Sequence, residues 1–212
     1  MSSSCCCDFA CWCCKLICAL LSLLFTAGVV VVIYWAIFQP HQIRATVDSA
    51  ALSNLTVVSN TSSVVSYNLA VNLSFYNPSV RVNIYYDAID AQLRFRDAVL
   101  SPVAATASPT EFYQRRKTGE VVKLGFAATS GVEVAGDVAA ELEKEAKKGE
   151  GAAVGLELDV DVRVRYVFRI FKLRQKPRVQ CWLTIPVKAE GSGAGAGVGG
   201  VLESGDRCRV KY

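Results

Sequence analysis

Four carboxylates are spaced so that they could work in pairs. Asp159 and Asp161 stand two apart on one face of an alternating run, and Asp87 and Asp90 share a local turn. A close carboxylate pair can divide acid and base roles or hold a cation. Neither pair comes with a Gly-containing calcium loop, so both are read as solvated surface carboxylates. Nucleophilic catalysis needs a Ser or Cys held against a base. The single histidine, His41, follows directly on a long apolar run, which argues against Ser-His and Cys-His arrangements. The stretch Gly191–Gly200 lacks the Lys and the following helix that a phosphate-cradling loop requires. No enzyme is assigned, and no cofactor or metal site is expected.

The remaining reactive side chains are cysteines. Of the nine, seven fall in the first 18 residues: Cys5, Cys6, Cys7, Cys11, Cys13, Cys14 and Cys18. Cys11 to Cys14 contains a C-x-x-C spacing, but no second pair or histidine completes a zinc site. Cysteines beside a membrane span are typical S-acylation (palmitoylation) sites, and that is the expectation for all seven. Ser2 stands where N-myristoylation requires glycine, which rules that modification out. The other two, Cys181 and Cys208, lie near the far end and need a separate account.

The element that positions the tail is Leu16–Phe38, 23 residues without a charge. As a helix it would run roughly 35 Å, enough to cross a bilayer core of roughly 30 Å with some tilt. Only a helix satisfies its own backbone in lipid, so helix is expected despite the β-branched run Val29–Ile33. Lys15 closes one end and Gln39-Pro40-His41 the other, with Tyr34 and Trp35 placed for the headgroup zone. A cleaved signal peptide would want a basic start and a shorter run. The expected layout is a tail over 1–15, a transmembrane helix over 16–38 and one domain over 39–212.

Flanking charge hardly sets the orientation: Lys15 lies on one side, and Arg44 offset by Asp48 on the other. Three N-x-[ST] sequons, at Asn54, Asn60 and Asn72, are more telling; Asn77-Pro78-Ser79 is excluded by its proline. A late cysteine pair also suits an oxidising compartment. The tail is expected in the cytosol and the domain outside the cell, at the plasma membrane. The net charge of +4 is mild and, with no recognition motif, argues against nucleic acid as a partner. A basic surface still favours acidic lipid headgroups or acidic wall polymers.

The domain reads as strands. Val65, Tyr67, Leu69, Val71, Leu73 and Phe75 alternate with polar or small residues, which predicts a half-buried strand with Asn72 outward. Parity switches at Asp87-Ala88 between Val82, Ile84, Tyr86 and Ile89, Ala91, Leu93, Phe95, which predicts a bulge or bend between two strand pieces. Ile43–Ser59 reads as strand material broken by polar residues, Pro102–Pro109 as a loop, Glu111–Gln114 as a short edge strand and Val122–Phe126 as another strand. Asp137 is the expected N-cap of a surface helix carrying Val138, Leu142 and Ala146 on its apolar stripe. Val154–Ile170 alternates for 17 residues, roughly 57 Å extended, and is expected to bend or to pass from one sheet to another. Val179–Val187 and Cys208–Tyr212 are strands separated by the Gly/Ala-rich stretch, read as a flexible loop. A hairpin would bring Cys181 and Cys208 together, and a disulfide is expected; two buried thiols are the alternative. The fold class is mainly β: an N-terminal transmembrane helix plus an antiparallel β-sandwich, immunoglobulin- or fibronectin III-like, with one surface helix.

Asn77-Pro78-Ser79-Val80-Arg81-Val82-Asn83-Ile84-Tyr85-Tyr86-Asp87 resembles the N-P-[N/S]-x-R-x-x-I-Y-Y-D signature of the plant harpin-induced-like proteins related to non-race-specific disease resistance, often called NHL. Phe112-Tyr113-Gln114 resembles that family's F-Y-Q motif, and Arg178-Val179-Gln180-Cys181 its basic lead into a late cysteine strand. The resemblance implies a late-embryogenesis-abundant group 2 (LEA-2) domain outside the membrane, and a role in plant immunity and stress with no known enzymatic activity. The Cys-rich tail and Gly/Ala stretch depart from it, so partner identity does not carry over. The motif also has a structural reading: Asn77-Pro78 makes a turn, Ile84 and Tyr86 pack inward, and Asn77 and Asp87 satisfy turn amides.

Two function classes follow. One is a membrane-anchored defence or stress component acting through protein contacts, with immune signalling proteins as candidate partners. The other is a module holding a lipid or other apolar ligand. A roomy apolar interior would favour the second, and a packed core with an exposed patch the first.

Overall fold

The computed structural model describes the backbone of residues 5–38, 42–59, 63–101, 105–148, 152–168, 171–189, 197–205 and 207–212. Within those segments the side chains of 5–13, 34–38, 59, 168, 171 and 189 are not described. The chain divides into two compact units, residues 1–40 and 41–212.

The first unit is the helix α1 (Cys5–Phe38). It runs on through the tail that the sequence set apart from the span, because nothing from Cys5 to Ala27 is a proline or glycine. Within it, Cys14–Ile33 is long and apolar enough to cross a membrane, and none of it is buried against protein. Its one threonine, Thr26, donates its hydroxyl to the carbonyls of Ser22 and Leu23, both at 2.9 Å, so that no side-chain hydroxyl of that residue is left unpaired.

The second unit is built on hydrophobic alternation. In chain order it contains β1 (Arg44–Ser59), β2 (Ser63–Tyr76), β3 (Asn83–Phe95), β4 (Ala98–Val99), β5 (Thr106–Ser108), β6 (Phe112–Gln114), β7 (Gly119–Ala127) and β8 (Val132–Val134). The helix α2 (Gly136–Ala146) follows. Then come β9 (Ala153–Phe168), β10 (Phe171–Gln175), β11 (Arg178–Pro186), β12 (Lys188–Ala189), β13 (Val198–Leu202) and β14 (Arg209–Lys211). Two antiparallel sheets result. One runs β12-β13-β1-β2-β7-β5 with β8 on β2; the other runs β14-β11-β9-β3-β4 with β10 on β9 and β6 on β3. Their inward rows close one hydrophobic core, from Val65, Leu69 and Phe75 on β2 to Leu158 and Val162 on β9. This is the mainly β sandwich that the alternation implies.

Several sequence expectations change. As far as Phe168, the last described residue of β9, the run from Val154 stays in one sheet. β3 lines one edge of β9, while β11 and β10 share the other in succession, pairing with its first and second halves. The long strand needs no switch of sheet because its partner edge is assembled from two short strands that meet at Lys176-Pro177. β3 is one strand, and the parity switch is a bulge between Tyr86 and Ala88, as expected. The polar breaks in β1 likewise fall where its register with β2 shifts, near Asp48 and Asn54. Part of the stretch read as the Pro102–Pro109 loop is β5, although residues 102–104 lie outside the described residues.

The Gly/Ala stretch is only partly a loop. Residues 191–196 lie outside the described residues, but Val198–Leu202 is β13, paired with β1 through Ala50, Ala51 and Leu52. A Cβ on Gly200 would collide with the Pro186 carbonyl, so the glycine serves close backbone approach rather than flexibility.

The N-cap of α2 is Ala135, without a side-chain cap bond, and Asp137 lies in the first turn instead. There it still favours the positive end of the helix dipole. Leu142 and Ala139 are buried, with Val138 and Ala146 partly so, and Leu142 closes the end of the core formed by Leu52, Leu55, Tyr67, Leu93 and Leu156.

Candidate functional site

The N-P…Y-Y-D and F-Y-Q residues converge where β2, β3, β6 and β7 begin or end. Asn77 is buried just past β2. Its Oδ1 accepts from the Ser79 amide at 3.0 Å, and its Nδ2 donates to the carbonyls of Val82 at 3.0 Å and Arg115 at 3.2 Å. Its backbone N–H donates to the Thr118 carbonyl at 3.1 Å. One side chain thus pins two turns together, the role the structural reading gave it. Ser79 continues the lock, its hydroxyl accepting from the amides of Arg81 and Val82. Pro78 is half-buried between them, and the Arg81 side chain is exposed.

Gln114 is the hub. It is fully buried, on the inward parity it shares with Phe112. Its Nε2 donates to the carbonyls of Phe75 at 2.7 Å and Thr118 at 2.9 Å, and its Oε1 accepts from the Tyr86 hydroxyl at 3.0 Å. Tyr86 stacks on Phe112 with centroids 4.2 Å apart and tilts against Phe75 at 5.4 Å. Burial pushes the Tyr86 phenol far above its ordinary range, with Tyr212 adding to the shift. Ile84 is buried beside it. The sequence marked Gln114 only as the last residue of the F-Y-Q motif; a buried amide must find its hydrogen-bond partners, and these lie on other elements.

Asp87 does not satisfy turn amides as expected. It accepts from Arg165 Nε at 2.8 Å across the β3–β9 bulge. The hydrogen bond to Asp87 raises the Arg165 pKa. The same guanidinium lies over the Tyr85 ring at 5.5 Å, and Tyr85 packs on Tyr113 at 4.4 Å, both rings about two-fifths exposed. The motif therefore has an inner half that locks turns and an outer half that presents two tyrosines and an arginine.

The other carboxylates are likewise tied to arginine: Asp90 to Arg163 at 3.5 Å, Asp159 to Arg94 at 3.5 Å and Asp161 to Arg178 at 2.8 Å. Asp90 and Asp161 face each other across β3 and β9, yet each carries its own guanidinium. That arrangement is an ion ladder on the sheet face, where the sequence reading had only solvated carboxylates. Among the described residues no group of three His, Cys, Asp or Glu is placed to hold a metal.

Cys181 and Cys208 form a disulfide, S–S 2.03 Å and Cα–Cα 4.4 Å, closing β14 onto β11. Of the tail cysteines, Cys14 and Cys18 carry exposed free thiols. The side chains of Cys5, Cys6, Cys7, Cys11 and Cys13 lie outside the described residues. Asn54 is exposed at a bulge of β1 with φ +53°. Asn72 points outward, its Nδ2 donating to Ser49 Oγ at 2.8 Å, and Asn60 and His41 lie outside the described residues. Beneath Leu142 the space left between the sheets is about 10 Å³, lined by apolar side chains alone. That is about one water's worth and far below what a lipid chain would fill.

A two-sheet antiparallel sandwich, locked by a buried Asn–Gln–Tyr network and preceded by an apolar helix, defines the class. The late embryogenesis abundant protein (LEA_2) family model matches residues 72–181, just over half the chain and inclusive of the whole network. The chain belongs to this family. Its relatives include NDR1/HIN1-like protein 10 of Arabidopsis thaliana, 32% identical over 119 residues, covering 55% of this chain and 50% of the relative. NDR1/HIN1-like protein 2 of the same plant is 29% identical over 149 residues, covering 70% of this chain and 59% of the relative. NDR1/HIN1-like protein 3 is 29% identical over 103 residues, covering 49% and 42%. The chain thus spans about half the length of the curated relatives it matches.

Proposed function

We propose that this is a membrane-anchored plant defence or stress component that works through protein contacts made by its LEA-2 domain. In this reading residues 1–15 are a cytosolic tail, 16–38 a single plasma-membrane span and 39–212 an extracellular domain. The observation that carries it is the division of the family motif. Its buried half is spent on holding turns together, and the core beneath Leu142 leaves no room for a lipid chain. What remains for function is the surface, where Tyr85, Tyr113 and Arg165 are displayed together. Exposed aromatic and arginine side chains are the residue types that dominate protein interfaces. The close packing beneath Leu142 weighs against an apolar ligand held there.

The span supports anchoring by length and composition. The sequons at Asn54, Asn60 and Asn72 and the disulfide support an oxidising, extracytosolic side. The tail cysteines are the proposed acylation sites, tuning lateral position rather than retention, since the span anchors far more firmly than acyl chains. Proximity-labelling tags at each terminus, in resting and challenged plant tissue, test the reading. Immune or stress proteins should be labelled from the domain side and lost on Tyr85→Ala/Tyr113→Ala. Labelling unchanged by that variant refutes the contact surface, and labelling of cytosolic proteins from the C-terminal tag reverses the topology.

A further inference from the structure

Two groups of basic residues stand apart in the second unit, with Arg174, Arg207 and Arg209 in neither. On the outer face of the β9 sheet, Arg94, Arg163, Arg165 and Arg178 are each matched to an aspartate. At the end of the sandwich where the chain enters β1 the pattern is the reverse. Beside the C-terminal segment, whose Tyr212 hydroxyl accepts from the Ile43 amide, four segments meet there: residues 42–44 leading into β1, the 77–82 turn, the 115–119 turn and the described part of the β9–β10 hairpin. They carry Arg44, Arg81, Arg115, Arg116, Lys117 and Lys172, all exposed and, among the described residues, none in an ion pair. No acidic residue occurs among the described residues of these segments; Glu120 lies one residue into β7, Glu111 precedes β6, and Asp87 is already held by Arg165. At the opposite end, capped by α2, Arg96 lies between Glu141 and Glu145 and Lys147 pairs with Glu143, so the exposed Lys144 and Lys148 sit among carboxylates.

The basic end also has an apolar tip. Val80 is 57% exposed at the crest of the 77–82 turn, flanked by Arg81 and held by the Arg116 guanidinium, which donates to its carbonyl at 3.5 Å. The turn is fixed from beneath by Asn77 and Ser79, so the valine is presented on a rigid support. A ring of unpaired cations around a small apolar projection is the chemistry that seats on a phosphate-bearing lipid surface: the cations meet headgroup phosphates and the side chain enters the acyl boundary.

We propose that this end of the sandwich docks on anionic phospholipid headgroups. The proposal rests on the anchoring reading above, in which the chain follows a membrane span, and β1 starts six positions after the last residue of α1. Docking would turn the α2 end and the rest of the sandwich outward.

The test uses the full chain reconstituted in phosphatidylcholine nanodiscs, with or without phosphatidylglycerol, and reads amide hydrogen exchange. Exchange in 77–82 and 115–119 should slow about tenfold with phosphatidylglycerol and recover in high salt. The triple variant Arg115→Ser/Arg116→Ser/Lys117→Ser should lose that protection, and Lys144→Ser/Lys147→Ser/Lys148→Ser on the α2 end should keep it. Exchange that ignores lipid charge, or protection that survives the triple variant, overturns the proposal. So does protection conferred by polygalacturonate over neutral lipid and not by phosphatidylglycerol, which would make the end a reader of acidic polymer. Alkaline carbonate extraction of the same protein from vesicles reports separately on the anchor. If the chain is released, anchoring fails, and docking is then decided by whether the chain floats with phosphatidylglycerol vesicles and not with phosphatidylcholine.

Discussion

Replacing Gln114 by leucine removes the hub of the buried network without changing its volume greatly. Three groups lose a partner: the Tyr86 hydroxyl and the carbonyls of Phe75 and Thr118. The carbonyls are cushioned, because Phe75 lies within a strand paired on both sides and Thr118 still accepts from the Asn77 amide. The hydroxyl is not, since Tyr86 is 1% exposed. An orphaned buried hydroxyl costs about 1–3 kcal/mol and each lost hydrogen bond about 1 kcal/mol, so Gln114→Leu should destabilise by about 3 kcal/mol. For a domain of this size that lowers the melting temperature by about 6–12 °C. Thermal unfolding of the full chain in detergent micelles, followed by circular dichroism, measures it. The sharper readout is a double-mutant cycle. Tyr86→Phe alone should cost about 1–2 kcal/mol, because it strands Gln114 Oε1. In the Gln114→Leu background the same change should be neutral or stabilising, because it deletes the orphan. A Tyr86→Phe cost that is equal in both backgrounds would refute the reasoning, since the hydroxyl would then have a partner other than Gln114.

Other expectations follow from the same structure. Cys208→Ser opens the 27-residue disulfide loop and should cost about 3 kcal/mol, with limited proteolysis releasing the segment after β11; an unchanged melting temperature would show that the bond contributes nothing. Alkaline stability should fall steeply. Burial pushes the Tyr67 phenol up to about 12 from an ordinary 10, and the Tyr86 and Tyr166 phenols are raised as well. A raised phenol contributes stability that is fully present below pH 10 and is lost as pH climbs through the folded value, at about 1.4 kcal/mol per pH unit for each proton. Melting curves above pH 10 should show this loss, and Tyr67→Phe should flatten it. Endoglycosidase should increase the gel mobility of plant-expressed protein, with the shift shrinking stepwise in Asn54→Gln, Asn60→Gln and Asn72→Gln; a protein that never shifts would contradict the proposed orientation.

What could be read in advance depended on how local the cause was. The row Val65 to Phe75 declares a strand because burial on one face imposes period two. The Asp87-Ala88 bulge declares itself because parity cannot otherwise change. The disulfide was legible from the inward parity of both cysteines, but not by the route expected: no hairpin joins their strands, because the chain between β11 and β14 passes through β12 and β13 of the other sheet. Val198–Leu202 was hidden, since β13 is specified by the edge of β1 and by room beside Pro186, neither of which is encoded nearby. The single-sheet path of β9 depended on β10 and β11 sharing one edge, a fact of topology rather than of its own residues. Asp87 was misassigned for the same reason, its partner Arg165 being 78 positions away. Of the candidate site, the inward residues Ile84 and Tyr86 were legible from alternation. The hub role of Gln114 was not, because a polar side chain reveals its partners only after the turns on either side are closed.

The way the chain enters the sandwich has a mechanical consequence. β1 is bonded to β2 along its length, from Arg44 against Tyr76 to Ser59 against Ser63. Its other edge is gripped near the start by the C-terminal segment, where Gly205 and Cys208 donate to Val47 and Ala45, both at 2.9 Å. Ladder hydrogen bonds lie perpendicular to the strands. Tension applied through Arg44 along the axis of β1 therefore loads both rows in shear, and many bonds must fail together before the strand slides. Tension applied at Tyr212 would instead peel β14 from β11 pair by pair, until it reached the covalent stop at Cys208. The unit is thus built to bear load through the terminus that leads to α1 and to yield only a few residues at the other.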